Sequence, residues 1–261
     1  MNKLSIGSIA VALALALGNV AQAADLPVGP VPAVAVPPVV NWSGLYIGGH
    51  GGFAWSRLIY SVGIPDGSCG VFCEDLSFNP SSFIGGGQIG WQSQVDLWVL
   101  GIEATWSGLD LHQTQQSALD STSSRSIKLN GITAVDARFG FAGWTPFLLY
   151  AKAGFATAHI NVHLVEGPGG VVPGVIGNAT RWHGGWTLGA GIEYMVWQNL
   201  VLGVEFDFYN FAFDTKTPAL FSDGIDTFQI WGSNADVYAV TARLSYLFNW
   251  GKAPGGLVAK Y

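Results

Sequence analysis

The chain has 261 residues, and only 11% of them are charged, whereas roughly 25% is usual for a soluble domain. A conventional soluble surface is therefore not expected. Eleven Lys and Arg against 17 Asp and Glu give a formal net charge of −6. A chain with this acidic net charge does not have the basic surface of a nucleic-acid-binding protein, so nucleic acid is excluded as a partner.

Residues 1–23 have the composition of an export signal. Lys3 supplies positive charge, residues 4–17 are apolar, and Ala21-Gln22-Ala23 forms a small-residue cleavage site. The apolar stretch falls short of the ~20 residues of a transmembrane helix, which disfavours the alternative of an uncleaved anchor. Residues 24–42 follow as a Pro/Val-rich segment, which favours extended chain and predicts a periplasmic spacer. A plain disordered tail is the alternative.

From residue 43 to residue 250, the main pattern is an alternation with period two. Between Trp186 and Val196, for example, apolar residues at even positions alternate with Thr, Gly, Glu and Met at odd positions. Such alternation predicts strands, and eight stretches show it. The predicted connections alternate in length, with tight turns at 96–97, 143–145 and 197–199 and long loops at 57–82, 108–130, 160–181 and 212–233. Residues 251–261 are predicted to be a C-terminal tail.

Short turns at one end and long loops at the other are typical of outer-membrane barrels. The predicted fold is therefore all-β: an eight-stranded antiparallel transmembrane β-barrel with short periplasmic turns and four long extracellular loops. It would lie in the outer membrane of a Gram-negative bacterium. The alternative is a soluble lipocalin-like barrel, in which the apolar side chains would point inward. Periodicity alone does not separate the two, but the small, sparsely charged face suits a narrow bore better than a solvated surface.

Eight charged residues fall on the inward-facing side of this arrangement. They are Glu103, Asp136, Arg138, Lys152, Glu193, Glu205, Asp207 and Arg243. An eight-stranded barrel is just wide enough to be filled by side chains, and unpaired buried charge is costly. We therefore predict a plugged lumen with ion pairs across the barrel and trapped water. A weakly cation-selective pore is the alternative.

Five tryptophans fall at the termini or at the tight turns. They are Trp42, Trp98, Trp144, Trp197 and Trp250. Amphipathic rings at one level predict an aromatic girdle at the periplasmic interface. Ordinary core packing is the alternative.

Cysteines and histidines are few. Cys69 and Cys73 lie in the first long loop, where a disulfide is the favoured state in an oxidising compartment. Two free thiols are the alternative, and two ligands do not complete a metal site. His159 and His163 stand about 13 Å apart in an extended strand, so they and His183 are interpreted as rim histidines instead of metal ligands.

No catalytic, cofactor-binding or metal-binding residue is predicted. Gly85–Gly90 matches G-x-G-x-x-G, but a strand follows it where a dinucleotide site needs a helix. A lipid-directed enzyme would need a nucleophile, a base and an acid together at the rim, and no spaced signature marks such a set.

Several segments resemble the small outer-membrane immunogenic proteins, an opacity-type family of β-barrels in alphaproteobacteria that is often labelled the porin family. They are Asn41-Trp42-Ser43-Gly44-Leu45-Tyr46-Ile47-Gly48-Gly49, Gly185-Trp186-Thr187-Leu188-Gly189-Ala190-Gly191-Ile192-Glu193-Tyr194 and Arg243-Leu244-Ser245-Tyr246-Leu247-Phe248-Asn249-Trp250. The resemblance implies surface-exposed antigenic loops and a structural or host-contact role without a catalytic site. One departure is the extension beyond Phe248, which makes the terminal aromatic signal for barrel assembly internal.

The expected function is that of a non-enzymatic structural and surface-antigen barrel. A low-conductance channel is the alternative, and a lipid-modifying enzyme is less favoured. The expected partners are outer-membrane lipid and lipopolysaccharide, the barrel-assembly machinery, and a host or environmental surface ligand.

Overall fold

The computed structural model describes residues 40–63, 74–117, 121–168, 176–212, 217–218 and 229–249. The predicted leader, most of the spacer, the C-terminal tail, Trp250, Cys69 and Cys73 lie outside these residues. Among the described residues, no helix is long and apolar enough to cross a membrane.

The described chain consists of ten strands. They are β1 (Gly44–Gly63), β2 (Glu74–Phe78), β3 (Ser81–Val95), β4 (Trp98–Gln116), β5 (Ser124–Trp144), β6 (Phe147–Val165), β7 (Ile176–Met195), β8 (Leu200–Ala212), β9 (Thr217–Pro218) and β10 (Gln229–Phe248). Every pairing between them is antiparallel.

The strands close into a ring of eight positions in the order β1-β3-β4-β5-β6-β7-β8-β10. The ring closes where β1 pairs with β10, from Leu45 opposite Phe248 to Gly63 opposite Gln229. The short strand β2 pairs with β1 beyond the end of β3, so β2 and β3 share one position in the ring. In the same way, the short strand β9 pairs with β10 beyond the end of β8, so β8 and β9 share one position. The predicted eight-stranded antiparallel barrel is confirmed.

Large apolar side chains form a band around the outside of the ring. On β4 the band runs from Trp98 to Trp106, and on β6 it runs from Phe147 to Phe155, with outward-facing residues exposed in the isolated chain. These spans are nine residues long, which matches the 9–11 residues that a tilted strand needs to cross hydrocarbon. The apolar side chains face outward, so the lipocalin-like alternative is wrong.

The strands continue well past this band at the long-loop end, and there the pattern inverts. Leu109 and Leu111 on β4 are buried toward the lumen, whereas Asp110 and His112, which alternate with them, are exposed. The strands therefore extend into all four predicted long loops, for example at residues 57–63, 108–116, 160–165 and 229–233, and the predicted loop bounds are too wide there. Outside the lipid the outer face meets water, so polar residues move outward and apolar residues fill the inside.

Candidate functional site

The lumen of the ring is filled in three layers. An apolar cluster at the short-turn end contains Trp42, Tyr46, Val99, Ala142, Leu148, Tyr150, Met195, Val201 and Leu247. A larger apolar cluster at the long-loop end includes Leu58, Phe78, Leu111, Leu129, Ile160, Leu164 and Phe211. Buried polar and charged side chains lie on the strands between the two.

All eight charged residues singled out from the sequence face the lumen and are buried. The alternation of each strand places them there, because inward and outward positions strictly alternate. They comprise five carboxylates and three cations, and the ring brings all of them into one connected network.

Arg243 and Glu103 form the main link across the lumen. The Arg243 guanidinium pairs with the carboxylates of Glu103 and of Glu205. Arg243 stands on β10 and Glu103 on β4, which are three positions apart around the ring of eight. These bonds therefore brace the barrel from the inside, independently of the backbone ladder.

A second link joins Arg138 to the same network. Its Nη2 lies 2.9 Å from Glu193 Oε1, and its Nη1 donates to the Tyr46 hydroxyl at 2.7 Å. The Tyr46 hydroxyl in turn donates to Glu103 Oε2 at 2.8 Å. The guanidinium carbon also lies 3.9 Å from the centroid of the Tyr150 ring. Arg138 is thus held by a carboxylate, a phenol and an aromatic face.

Lys152 is shared by four carboxylates. Its Nζ lies 3.4 Å from Glu103, 3.6 Å from Asp136, 2.9 Å from Glu205 and 3.0 Å from Asp207. An ammonium has three N–H donors, so it does not satisfy four carboxylates at once. Both carboxylate oxygens of Asp136 lack a hydrogen-bond partner, which identifies this residue as the least compensated member of the network.

His50 is a further lumen residue, and it bonds to side chains of two other strands. Its Nδ1 lies 2.8 Å from Gln88 Oε1, and its Nε2 lies 2.9 Å from Ser107 Oγ. The Gln88 amide nitrogen donates to Gly49 O and Ser245 Oγ, which leaves its oxygen facing the ring. Nδ1 therefore carries the proton, and Nε2 accepts from the serine hydroxyl. The signal was present in the alternation, which places His50 and Gln88 on the inward face.

Trp42 closes the lumen at the short-turn end, and its prediction as a girdle residue is wrong. It is only 1% exposed and belongs to the apolar cluster at that end. Its backbone N–H donates to Gln94 Oε1, and its backbone carbonyl accepts from Gln92 Nε2. Because Trp42 precedes β1, the alternation of the strand does not dictate which way its side chain points.

Aromatic residues lie around both edges of the apolar band. At the short-turn end, Trp98, Trp144 and Trp197 are 49%, 65% and 71% exposed in the isolated chain. A second belt at the long-loop edge was not predicted; its exposed members are Phe53, Trp55, Phe83, Trp106, Phe155 and Trp186. The signal for it was the large aromatic that ends the outward apolar run on most strands.

A separate buried ion pair lies near the long-loop end. Arg125 Nη2 is 2.6 Å from Glu166 Oε1, and the Ser123 hydroxyl donates to Glu166 Oε2. Sequence reasoning missed this pair because it treated both residues as loop positions.

The three histidines considered as metal ligands do not share a face. His159 faces outward against the Trp182 ring, whereas His183 pairs across the sheet with Ala158, whose side chain faces the lumen. Within the described ranges, no group of three or more His, Cys, Asp or Glu side chains is arranged to hold a metal ion.

The glycine motif at residues 85–90 lies inside β3, with β1 and β4 on either side. A Cβ on Gly86 would collide with the backbone carbonyl of Trp106. Glycine is required there because two strands approach each other closely. The glycines of this motif therefore serve strand packing and not nucleotide binding.

Comparison with known proteins is consistent with this architecture. The family model described as an outer membrane protein beta-barrel domain matches residues 10–248. The 31 kDa outer-membrane immunogenic protein of Brucella melitensis is 26% identical over 203 residues, covering 76% of this chain and 84% of the relative. The 25 kDa outer-membrane immunogenic protein of Brucella ovis is 27% identical over 191 residues, covering 72% and 80%.

Among solved structures, OprG from Pseudomonas aeruginosa is similar with a TM-score of 0.46 at 12% identity, covering 81% of this chain and 100% of that chain. Neisserial surface protein A has a TM-score of 0.41 at 12% identity, covering 79% and 98%.

Proposed function

The chain belongs to the outer membrane protein β-barrel domain family, and from that premise we propose that it is a non-enzymatic structural and surface-antigen barrel. Its compartment is the outer membrane of a Gram-negative bacterium. In this proposal the barrel supplies mechanical stability, and the extracellular connections carry the contacts with the surroundings.

The observation that carries the structural role is the three-layer filling of the lumen. An ion that enters from either end meets a layer of buried apolar side chains before it reaches the charged layer. Crossing an apolar layer removes the hydration of the ion, which is costly. A lumen that is filled and cross-linked in this way supports a structural role for the barrel, in which it does not conduct ions.

A planar-bilayer recording tests this role with the purified full chain. We expect no stable conductance above the leak of the bilayer. The low-conductance channel is the second candidate, because the charged layer holds two more carboxylates than cations and would favour cations. Stable unit currents that reverse at a cation-selective potential would contradict the structural role and support the channel.

A lipid-directed enzyme is the third candidate, because Ser107 and His50 form a nucleophile–base pair geometrically. Ser107 is buried toward the lumen. Leu109 and Leu111, on the same strand, belong to the apolar layer that separates Ser107 from the long-loop end. Among the described residues, this layer stands between a lipid ester and the serine hydroxyl. Incubation of the reconstituted protein with lipopolysaccharide and phospholipid, followed by mass spectrometry, is expected to show no change in lipid mass. A mass change that disappears in Ser107→Ala would contradict the non-enzymatic role.

We further propose three kinds of partner. The outward apolar band and its two aromatic belts support contact with outer-membrane lipid and lipopolysaccharide. The outward residues Leu244, Tyr246 and Phe248 at the end of β10 support recognition by the barrel-assembly machinery. The names of the Brucella relatives, which are called immunogenic, support surface exposure and contact of the extracellular connections with a host or environmental ligand.

The sidedness is tested by protease treatment of intact cells together with heat-modifiable gel migration. We expect cleavage only in the long connections, and faster migration of unboiled than of boiled protein. Cleavage at the short turns from outside would contradict this orientation.

A further inference from the structure

The outer wall of β4–β7 beyond the apolar band is mostly polar, and Trp182 and Ile176 are its large exposed apolar side chains among the described residues. Trp182 is 63% exposed in the described structure, and it faces outward from β7. It stands directly opposite His159 on β6, with ring centroids 5.0 Å apart and planes inclined by 53°. His159 Nδ1 is itself 2.7 Å from Asn130 Oδ1, so one side of the Trp182 ring rests on a fixed neighbour.

A row of four polar side chains runs across the wall next to this ring pair. In the register of the sheet, Thr180 is opposite Asn161, Asn161 is opposite Lys128, and Lys128 is opposite His112. Neighbouring strands are about 4.8 Å apart, so the row extends over roughly 14 Å. We name the ring pair and this row together the lateral wall.

The lateral wall carries little net charge. Lys128 Nζ lies 3.2 Å from Asp110 Oδ1, and His112 Nδ1 lies 3.5 Å from the same oxygen. The single ammonium is therefore compensated by a carboxylate. This arrangement suits neutral hydroxyl groups better than phosphate, which needs an uncompensated cluster of cations.

The height of Trp182 above the membrane follows from its strand. Trp186 lies in the aromatic belt at the edge of the apolar band, and Trp182 lies four residues farther along β7. Four residues are about 13 Å of strand, or about 10 Å along the barrel axis at a tilt near 40°. Trp182 is thus outside the hydrocarbon, where an interfacial belt residue is not expected, and its ring points sideways, parallel to the membrane plane.

We propose that the lateral wall binds the neutral sugars of the lipopolysaccharide core that is anchored in the same leaflet, an inference that rests on the contact with lipopolysaccharide proposed above. The Trp182 ring stacks on the apolar face of one pyranose, because the electron-rich ring face attracts its polarised C–H groups. Thr180, Asn161 and Lys128 donate to or accept from the hydroxyl groups of adjacent sugars. A glycan of the same leaflet meets a sideways-facing wall directly, whereas a glycan on another cell would approach the barrel from above.

The test uses the full chain in nanodiscs of phosphatidylcholine and, as the probe, core oligosaccharide freed from lipid A by mild acid. Binding is titrated by saturation-transfer difference NMR. Trp182→Ala is compared with Trp186→Ala, a matched control on the same strand and face. Trp186 lies in the aromatic belt at the edge of the apolar band, where it would meet the lipid part of lipopolysaccharide and not the core sugars that the probe contains. Heat-modifiable migration shows that both variants are folded, and Asn161→Leu provides a second variant that keeps both rings.

We expect wild type and Trp186→Ala to bind the oligosaccharide equally, and Trp182→Ala to bind about tenfold more weakly or worse, as for the truncation of a principal interface tryptophan. Asn161→Leu should also bind more weakly. The proposal is overturned if Trp182→Ala binds as wild type does, or if Trp186→Ala loses as much. It is also overturned if only lipid A without core sugars binds, or if sulfated or sialylated host glycans bind and the core oligosaccharide does not.

Discussion

Replacing Arg243 by Met should test whether the cross-barrel network stabilises the ring. The substitution keeps most of the apolar length of the side chain but removes the cation that pairs with Glu103 and Glu205. The layer would then hold five carboxylates against two cations. Glu103 would retain Arg138 at 3.5 Å and Lys152 at 3.4 Å, and Glu205 would retain Lys152 at 2.9 Å. Because both carboxylates keep a partner, we expect a loss near the lower end of the range of about 3–5 kcal/mol for breaking a buried pair.

The assay is urea unfolding in lipid vesicles, followed by tryptophan fluorescence and by heat-modifiable migration. Arg57→Met is the matched control, because Arg57 is an exposed arginine on the outer face of β1. We expect it to change stability by no more than about 1 kcal/mol.

A double variant decides whether the loss comes from charge. Arg243→Met combined with Glu205→Gln removes one of the two carboxylates left behind, and it should regain at least about 1 kcal/mol relative to the sum of the single effects. The reasoning would be refuted by an Arg243→Met loss below about 1 kcal/mol, or by strictly additive effects in the double variant.

Three further predictions concern other residues of the barrel, and all can be read from the same unfolding curves. Asp136→Asn removes a carboxylate without a hydrogen-bond partner, so stability should stay equal or rise; a loss above about 1 kcal/mol would contradict the shortage of donors. Trp42→Ala should cost about 3–5 kcal/mol because it empties the lumen mouth, whereas exposed Trp144→Ala should cost clearly less. Leu129→Asn should cost at least about 2 kcal/mol and Lys128→Asn less than about 1 kcal/mol; equal effects would refute the inverted pattern.

The strands inside the lipid band could be predicted from the sequence because lipid imposes one rule on all of them. Outward residues meet hydrocarbon and inward residues meet a narrow lumen, so the alternation is strong from Trp98 to Trp106 and from Phe147 to Phe155. The same rule placed the eight charged residues in one lumen, and it does not depend on knowing the register.

The continuation of the strands beyond the band could not be predicted by that rule, because water replaces lipid on the outside. There Leu111 and Leu129 face inward while His112 and Lys128 face outward, so the pattern continues with opposite polarity. The sequence signal for these extensions is an alternation in which the apolar residues change from the outward to the inward positions after the belt aromatic of the strand.

The partners within the network also lay beyond the sequence. Alternation shows which face a residue occupies, but not its height in a sheared ring, where neighbouring strands are offset. In the register of the sheet Arg243 is level with Ser107 of β4, so its bond to Glu103 spans an offset of four residues. The inward orientation of the Trp42 side chain could not be predicted for another reason. Trp42 precedes β1, so the alternation of the strand does not extend to it.

The seam between β1 and β10 sets an order on biogenesis. It joins the first and the last strands of the ring, so the cylinder has no complete form until β10 has been synthesised and exported. A chain cut before residue 229 would lack β10, so the edges of β1 and β8 would expose unpaired amide and carbonyl groups to acyl chains. Each unpaired group would cost several kcal/mol. Quality control by envelope proteases should therefore remove such fragments, while carboxyl-terminal additions beyond residue 249 leave the seam untouched.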